Sequence, residues 1–553
     1  DPDKVGNNLT LLNNVTLDQL SFGTATILNL VIGDNAIIRA GNTSFTGAFY
    51  NSNITGNISI GINADIKGYV FQNATLTGNF TIDPTWIIAV NSFSHMNVIG
   101  NFIVPNNQVL PETTFPNGTI SGDLILGTGV TLPNRCFYNT DITGNLTIPI
   151  STILTDTEHF EGSNIGTVSI PDNFILVSQM FSGVTIDAIT LGNNVTIPPT
   201  LFISGTVANM IVGDNTIGGW AQQTAQVTNM TFGRNNTLDT TPSASYINLT
   251  IGLNNNFSNG AFSGCEITNL TMPAPVTVAD VHTFTGTGFF TSNNISSIPA
   301  YFSSNLVNAF PPNLFTSNAF SGNITFPSNI TIFDDYCFSS NDITGITNLP
   351  PVYNIYVGSG VFQGNNFSAI PDFLEGIASG ELPNYLFGYN SFTSLTIDAT
   401  NSPWIRKLGV GCFQYNTLLT TVVLDAGNTN HVSNFLTTYA FQGCNISSFT
   451  FLETGTGSWN TNTVSSNAVF RGNNFSTLPT GLFGTGSVVG ETSIDYEMFM
   501  DNSFSGSLTI PNGVTSISSR AFKNNALTSV SVPAGINIVS DSFDPGVTIT
   551  YRP

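Results

Sequence analysis

Apolar residues recur along this chain with a period near 22, and phenylalanine is the most regular of them. Five successive phenylalanines lie 22 residues apart: Phe49, Phe71, Phe93, Phe115 and Phe137. We call these residues the marker phenylalanines. Five residues after each marker comes an aliphatic residue such as Ile54, followed by an alternating pair such as Ile58 and Ile60. Alternation is typical of a short strand with one buried face. The pattern therefore predicts a stack of similar coils, each contributing a strand and a buried phenylalanine.

The spacing predicts a mainly β repeat solenoid of about 23 coils, continuous over residues 1–553, and divides it into four regions. Coils of roughly 22 residues occupy 9–202, degenerate coils 203–337, coils widened to 24–29 residues 338–499, and regular terminal coils 500–553. Insertions in solenoids map to one face, often the binding face. The alternative is neutral growth, because surface loops lengthen at small cost in free energy.

The C-terminal stretch from Leu508 to Pro533 reads LTIPNGVTSISSRAFKNNALTSVSVP. It resembles the BspA-like leucine-rich repeat, and the resemblance extends over nearly the whole chain. The resemblance implies a non-catalytic protein of the cell surface or extracellular space, often an adhesin. In this family phenylalanine often replaces leucine in the core. Asparagines two to four residues after the marker are expected at turns, since asparagine tolerates the left-handed conformation and bonds neighbouring backbone.

Composition excludes several partners. The formal net charge is −22, with 11 Lys and Arg against 33 Asp and Glu. So few basic residues cannot neutralise a row of phosphates, which argues against nucleic acid. No stretch approaches 18 consecutive apolar residues, so no membrane insertion is expected.

Candidate chemistry is sparse, and the sequence predicts a non-enzyme without a cofactor. The five cysteines follow the repeat and are expected as buried thiols. The four histidines, namely His95, His159, His282 and His431, have no metal-ligand spacing. Two acidic pairs, Asp334 with Asp335 and Asp156 with Glu158, offer only weak support for Ca²⁺ because their spacing is irregular.

Asn-x-Ser/Thr sites are frequent and predict N-glycosylation of a secreted protein. The candidates are Asn8, Asn14, Asn42, Asn53, Asn73, Asn117, Asn145, Asn194, Asn235, Asn256, Asn294, Asn323, Asn366, Asn445 and Asn474. The alternative is that turn asparagines and strand threonines create such sites by chance. Sites in matching positions would also crowd one another at the strand spacing, so use of several sites, not all, is expected.

Both ends of the chain carry strand-like segments without a recognisable cap, as at Leu9–Leu11 and after Val547. Solenoid ends normally need caps, so contact between copies of the chain through these ends is expected. The sequence thus favours a glycosylated extracellular subunit that assembles end to end into a surface filament, sheath or layer. The alternative is a monomeric cell-surface adhesin that binds a host or neighbouring-cell protein or glycan through its concave face or widened coils.

Overall fold

The computed structural model describes most of the chain. The described residues are 8–39, 46–218, 225–238, 245–347, 354–398, 402–425, 434–454, 464, 467–483 and 491–553. Asn42 and His431 lie outside them. The chain divides into two compact units, Asp1–Thr285 and Gly286–Pro553. Each unit is a parallel-strand β-solenoid, with about 22 turns across the described residues of the two. The predicted mainly β repeat solenoid is confirmed.

In the first unit, most of the described coils contribute to a principal sheet and to a row of short strands at another side of the coil. The fifteen-stranded principal sheet contains Thr26–Ile27, Asn53–Ile54, Thr75–Thr77, Phe80–Thr81, Asn97–Ile99, Phe102–Val104, Thr119–Ile120, Leu124–Leu126, Asp141–Thr147, Asn164–Ile170, Thr185–Leu191, Thr206–Val212, Gln226–Phe232, Tyr246–Ile251 and Asn269–Thr271. A three-stranded sheet contains Leu9–Leu11, Leu30–Ile32 and Ile58–Ile60. The short strands are Thr16–Leu17, Ile37–Ile38, Asp65–Ile66, Ile87–Ile88, Thr131–Leu132, Ile153–Leu154, Thr196–Ile197, Ile217–Gly218, Thr237–Leu238, Asn256–Phe257 and Thr283–Phe284.

The second unit repeats this arrangement with shorter sheets. Its principal-sheet strands are Ser321–Ile324, Asp342–Ile346, Ser394–Ile397, Thr421–Asp425, Ser448–Leu452, Ser505–Thr509, Ala526–Pro533 and Thr548–Arg552. Its short strands are Ala309–Phe310, Ile332–Phe333, Tyr356–Val357, Glu381–Leu382, Lys407–Leu408, Ser493–Ile494, Ser516–Ile517 and Asn537–Ile538. The helices among the described residues are short 3-10 turns: Val278–Asp280 in the first unit, and Ala300–Ser303 and Asp372–Gly376 in the second.

The marker phenylalanines form the predicted buried aromatic spine. Phe49 and Phe71 stack with ring centroids 5.2 Å apart, and Phe413 and Phe441 stack at 5.6 Å with their planes 7° apart. Their side chains are fully buried. A single coil cannot bury such a side chain by itself, so stacking on both neighbours provides the core. Each coil therefore needs its neighbouring coils in order to bury its marker phenylalanine.

The degenerate stretch keeps its strands where the marker phenylalanine is absent. Two alternating apolar pairs, Met230 with Phe232 and Leu249 with Ile251, lie inside two long strands of the principal sheet, with all four side chains buried. Met230 pairs in register with Leu249, and Phe232 with Ile251. The inward-facing strand residues therefore preserve the stack there.

Asparagines after the marker have two different roles. An asparagine at the second position after the marker takes the left-handed conformation, as the sequence suggested: Asn73 has φ +56° and Asn117 has φ +57°. An asparagine at the third position after the marker is buried or half-buried, and its side-chain amide donates to the carbonyl of the preceding marker phenylalanine. In the second unit these residues are Asn318, Asn341, Asn365, Asn390, Asn416, Asn473, Asn502 and Asn525.

We call these eight residues the buried asparagine ladder. Cys444 occupies the equivalent position in its coil, and its thiol lies 3.1 Å from the carbonyl oxygen of Phe413. In the first unit Thr140 and Ser163 make the same type of bond to Phe115 and Phe137. Buried backbone carbonyls need such partners, because an unpaired one costs free energy on folding.

Candidate functional site

The sequence-predicted chemical residues are mostly buried or neutralised in the structure. All five cysteines are buried thiols, as predicted, and burial raises the pKa of Cys265 and of Cys444 to about 12. Burial lowers the pKa of His159 and of His282 to about 4, so both imidazoles are neutral at pH 7. Neither set offers an exposed nucleophile or base.

The acidic pairs that suggested calcium lie in different surroundings. Glu158 forms an ion pair of 3.0 Å with Arg135, which also contacts Glu161 at 2.7 Å. In the other pair, Asp335 accepts a hydrogen bond of 2.7 Å from the backbone N–H of Ser359. Within the described ranges, no three His, Cys, Asp or Glu side chains come together in a way that could hold a metal ion.

The glycosylation candidates lie at the surface. Asn73 is half-buried, and the other described candidates are exposed: Asn8, Asn14, Asn53, Asn117, Asn145, Asn194, Asn235, Asn256, Asn294, Asn323, Asn366, Asn445 and Asn474. Some of them already use the amide nitrogen that would carry a glycan. Asn235 Nδ2 donates to Asn215 Oδ1 at 2.9 Å, and Asn194 Nδ2 donates to Asn173 Oδ1 at 3.2 Å. Exposure therefore does not make all the sites equivalent.

A groove of about 620 Å³ opens on the short-strand side of the widened coils. We call it the split groove, because the short-strand row divides here into two sheets, one ending at Tyr356–Val357 and the next starting at Glu381–Leu382. The groove is lined by segments 354–359, 377–379 and 381–384, together with Lys407, Gly409, Val410 and Thr437. We call the sheet that ends at Tyr356–Val357 its first wall and the sheet that starts at Glu381–Leu382 its second wall.

The inserted residues of the widened coil cause this division. After its principal strand position the chain forms the 3-10 turn Asp372–Gly376, and the carbonyl of Gly376 accepts hydrogen bonds from the N–H groups of Asn354 and Ile355. The neighbour of the short strand at Tyr356 is therefore this turn. In most other coils the neighbour is the short strand of the next coil, which continues the sheet. The two coils rejoin at the next turn, where the N–H of Gly360 donates to the carbonyl of Asn384 at 2.8 Å.

Three side chains dominate the chemistry of the split groove. Tyr356 is 54% exposed on the first wall. Glu381 and Lys407 are register partners on the second wall, and their Oε2 and Nζ atoms lie 3.5 Å apart. Partial burial raises the pKa of Tyr356, and the nearby carboxylates of Asp335 and Asp334 raise it further. The groove thus presents an aromatic ring, a hydrogen-bond acceptor and a donor in an acidic setting.

Sequence reasoning placed a specialised face in the widened coils but did not name these residues. The missed signal is the residue at the outward position of the short strands, which is most often threonine or isoleucine. In this coil it is Tyr356, and in the next two it is Glu381 and Lys407. The insertion that begins at Asp372 showed which coil is longer, but it did not show on which side of that coil a groove would form.

A sequence profile of the BspA-type leucine-rich-repeat region matches more than half of the chain, at residues 130–241, 234–370, 351–474 and 489–545. The chain belongs to the BspA-type leucine-rich-repeat family. The matched ranges include the buried asparagine ladder and the split groove. Proteins with BspA-type repeats are typically surface-associated. No described helix has both the length and the apolar character needed to cross a membrane.

Three solved structures resemble this BspA-type chain. A leucine-rich-repeat protein from Bacteroides ovatus is 14% identical with a TM-score of 0.33, over 74% of this chain and 92% of that one. CroV588, described as a circular leucine-rich-repeat protein, is 14% identical with a TM-score of 0.19, over 95% of each chain. The plant peptide hormone receptor RGFR1, in complex with RGF2, is 12% identical with a TM-score of 0.23, over 100% and 97%. No curated protein sequence matches this chain.

Proposed function

We propose that this protein is a non-catalytic recognition protein of the cell surface, N-glycosylated on its exposed asparagines. The observation that carries the proposal is the split groove, where a widened coil opens the short-strand row beside Tyr356, Glu381 and Lys407. Concave sites with a few convergent polar groups are where proteins bind ligands. The surface association of the family and the exposure of the glycosylation candidates support the location.

The location is tested on intact source cells with a membrane-impermeant amine reagent. Lys67 has a half-exposed side chain and should be labelled, whereas an abundant cytosolic protein in the same sample should not. Labelling of this chain only after lysis would contradict a surface location.

Glycosylation is tested by enzymatic release of N-glycans in heavy-oxygen water, followed by peptide mass spectrometry. In the described residues, the Nδ2 atoms of Asn445 and Asn474 have no hydrogen-bond partner, whereas Nδ2 of Asn235 contacts Asn215. We therefore expect higher occupancy at Asn445 and Asn474 than at Asn235. The absence of label at every candidate would refute glycosylation and leave the groove untouched as a separate question.

A second candidate function is the self-assembling structural subunit that the sequence favoured. One observation supports it in the first unit: an aliphatic stripe on the outward side of the short-strand row. The stripe consists of Ile87, Val109, Ile153, Ile175 and Ile217, which are 53% to 69% exposed. Exposed apolar patches of this kind mark interaction sites. The end-to-end contacts predicted from the sequence stay a prediction.

Analytical ultracentrifugation tests this second candidate. If copies pack through the aliphatic stripe, the full chain should show concentration-dependent association that Ile175→Asp abolishes. The matched control is Ile211→Asp, since Ile211 is also exposed but lies on the principal sheet. A monomer at all concentrations, or equal effects of both substitutions, would count against assembly through the stripe.

A further inference from the structure

We propose that the split groove binds a neutral oligosaccharide through Tyr356 and the Glu381–Lys407 pair. The proposal rests on the recognition function above and names its ligand class and its site. The groove volume of about 620 Å³ lies in the range of roughly 300–1,000 Å³ typical of ligand sites. Because its lining includes the short-strand positions of three successive coils, Tyr356, Glu381 and Lys407, the groove suits an extended chain rather than an enclosed small molecule.

The ion pair has the polarity that a sugar diol requires. Glu381 and Lys407 side chains are partly exposed, and their charged atoms are 3.5 Å apart. A hydroxyl group donates and accepts at once, so neighbouring ring hydroxyls can donate to the Glu381 carboxylate and accept from the Lys407 ammonium. Hydrogen bonds to charged groups are the stronger kind. Such a pair therefore recognises a polyol without favouring either sign of charge.

The aromatic ring supplies the complementary apolar contact. Tyr356 extends outward from its strand and is 54% exposed, while its register partner on the preceding coil is Ile332. A pyranose ring has an apolar face of C–H groups that packs on an aromatic face, and the polar edge of the sugar then points to the opposite wall. Tyr356 belongs to the sheet that ends at the groove, and the Glu381–Lys407 pair belongs to the sheet that starts there, so the aromatic and polar contacts come from different sheets.

The surrounding charges select against acidic sugars. Asp334 and Asp335 lie close enough to Tyr356 to raise the pKa of its phenol, and burial together with Asp335 raises the pKa of Asp334. Two carboxylates beside the groove repel a uronic or sialic acid. A neutral chain avoids this repulsion.

The test is isothermal titration of the full chain, after enzymatic removal of its own N-glycans, with neutral hexasaccharides of glucose, mannose and galactose tried separately. We expect at least one of these probes to bind, Tyr356→Ala to weaken that binding at least about tenfold, and Tyr356→Phe to retain it. The matched control is Tyr389→Ala: Tyr389 is 52% exposed but stacks on Tyr415 outside the groove, so binding should be unchanged.

Several results would overturn the proposal. These are no binding of any neutral probe at millimolar concentration, equal loss in the Tyr356 and Tyr389 variants, or stronger binding of a hexuronate than of every neutral hexasaccharide. The titration needs neither cell-surface location nor glycosylation. Its failure is therefore distinguishable from a failure of the proposed location, which the intact-cell labelling measures.

Discussion

Asn473 donates its side-chain amide to the carbonyl oxygen of Phe441, 2.8 Å away in the preceding coil. The same amide group lies 3.0 Å from the carbonyl of Phe470, and Asn473 Oδ1 accepts from the backbone N–H of Ile446. One buried side chain thus satisfies backbone groups on two successive coils. The donor bond to the preceding coil recurs at all eight members of the buried asparagine ladder, and the acceptor bond recurs at all of them except Asn416.

Asn473→Ala should destabilise the protein by about 1–3 kcal/mol, because it leaves buried backbone groups without partners. The control is Asn474→Ala, since Asn474 is exposed and its oxygen accepts from the exposed Ser503 hydroxyl. Both variants are compared after enzymatic removal of N-glycans, because Asn474 is itself a glycosylation candidate. Urea denaturation of both variants measures the difference. Equal midpoints for the two variants would show that the ladder does not contribute to stability.

Phe441→Ala should cost about 3–5 kcal/mol, and Phe441→Leu less, because alanine leaves a cavity between two stacked coils. The ring of Phe441 lies 5.6 Å from that of Phe413 and is fully buried. Leu418→Ala is the control, since Leu418 is 54% exposed. Denaturation followed by circular dichroism checks the order, and a Phe441→Ala midpoint equal to that of the control would contradict the spine as a source of stability.

The cysteine thiols should resist modification in the native protein. Burial raises the pKa of Cys265 and of Cys444 to about 12, and it raises that of Cys136, Cys337 and Cys412 as well. The thiolate is the reactive form. We expect negligible reaction with a colorimetric disulfide reagent at pH 8, and reaction of all five thiols in denaturant. Rapid labelling of native protein would show that at least one thiol is accessible.

Stability should fall as the pH decreases from about 6.5 to about 4. His159 is buried, its Nε2 donates to the carbonyl of Leu132 at 3.0 Å, and burial lowers its folded-state pKa from 6.5 to about 4. In that window the unfolded imidazole binds a proton and the folded one does not, so acid favours unfolding. The contribution of one such histidine is at most about 3 kcal/mol.

Urea midpoints at pH 7 and pH 4.5 test the role of this histidine. His159→Gln should reduce the loss of stability between the two pH values, whereas His95→Gln, at an exposed position, should not. An unchanged pH dependence in His159→Gln would assign the acid sensitivity to other groups, such as the carboxylates.

Much of the fold could be predicted from the spacing of phenylalanines and alternating aliphatics. The predicted left-handed conformation was confirmed for asparagines at the second position after the marker, such as Asn73 and Asn117, because a side chain that tolerates that conformation is visible in the sequence. Asparagines at the third position, such as Asn365 and Asn390, are not left-handed and bond the backbone of the preceding coil instead. The sequence did not separate the two roles, because the same residue type serves both.

The candidate site depended on tertiary structure. The insertion after Asp372 was evident, but whether it would extend outward or divide a sheet depended on the contacts of Gly376 with the preceding coil. Tyr356, Glu381 and Lys407 are 25 and 26 residues apart along the chain, and nothing in their spacing indicates a common groove.

The sequence by itself determined the repeat, the parallel strands and the buried phenylalanine spine, because periodic burial is a local property that every coil encodes. Only the tertiary structure decided which asparagines are buried, which glycosylation candidates have a bonded amide nitrogen, and where the short-strand row opens. Those features depend on the contact between one coil and the next, and that contact joins residues distant in the sequence.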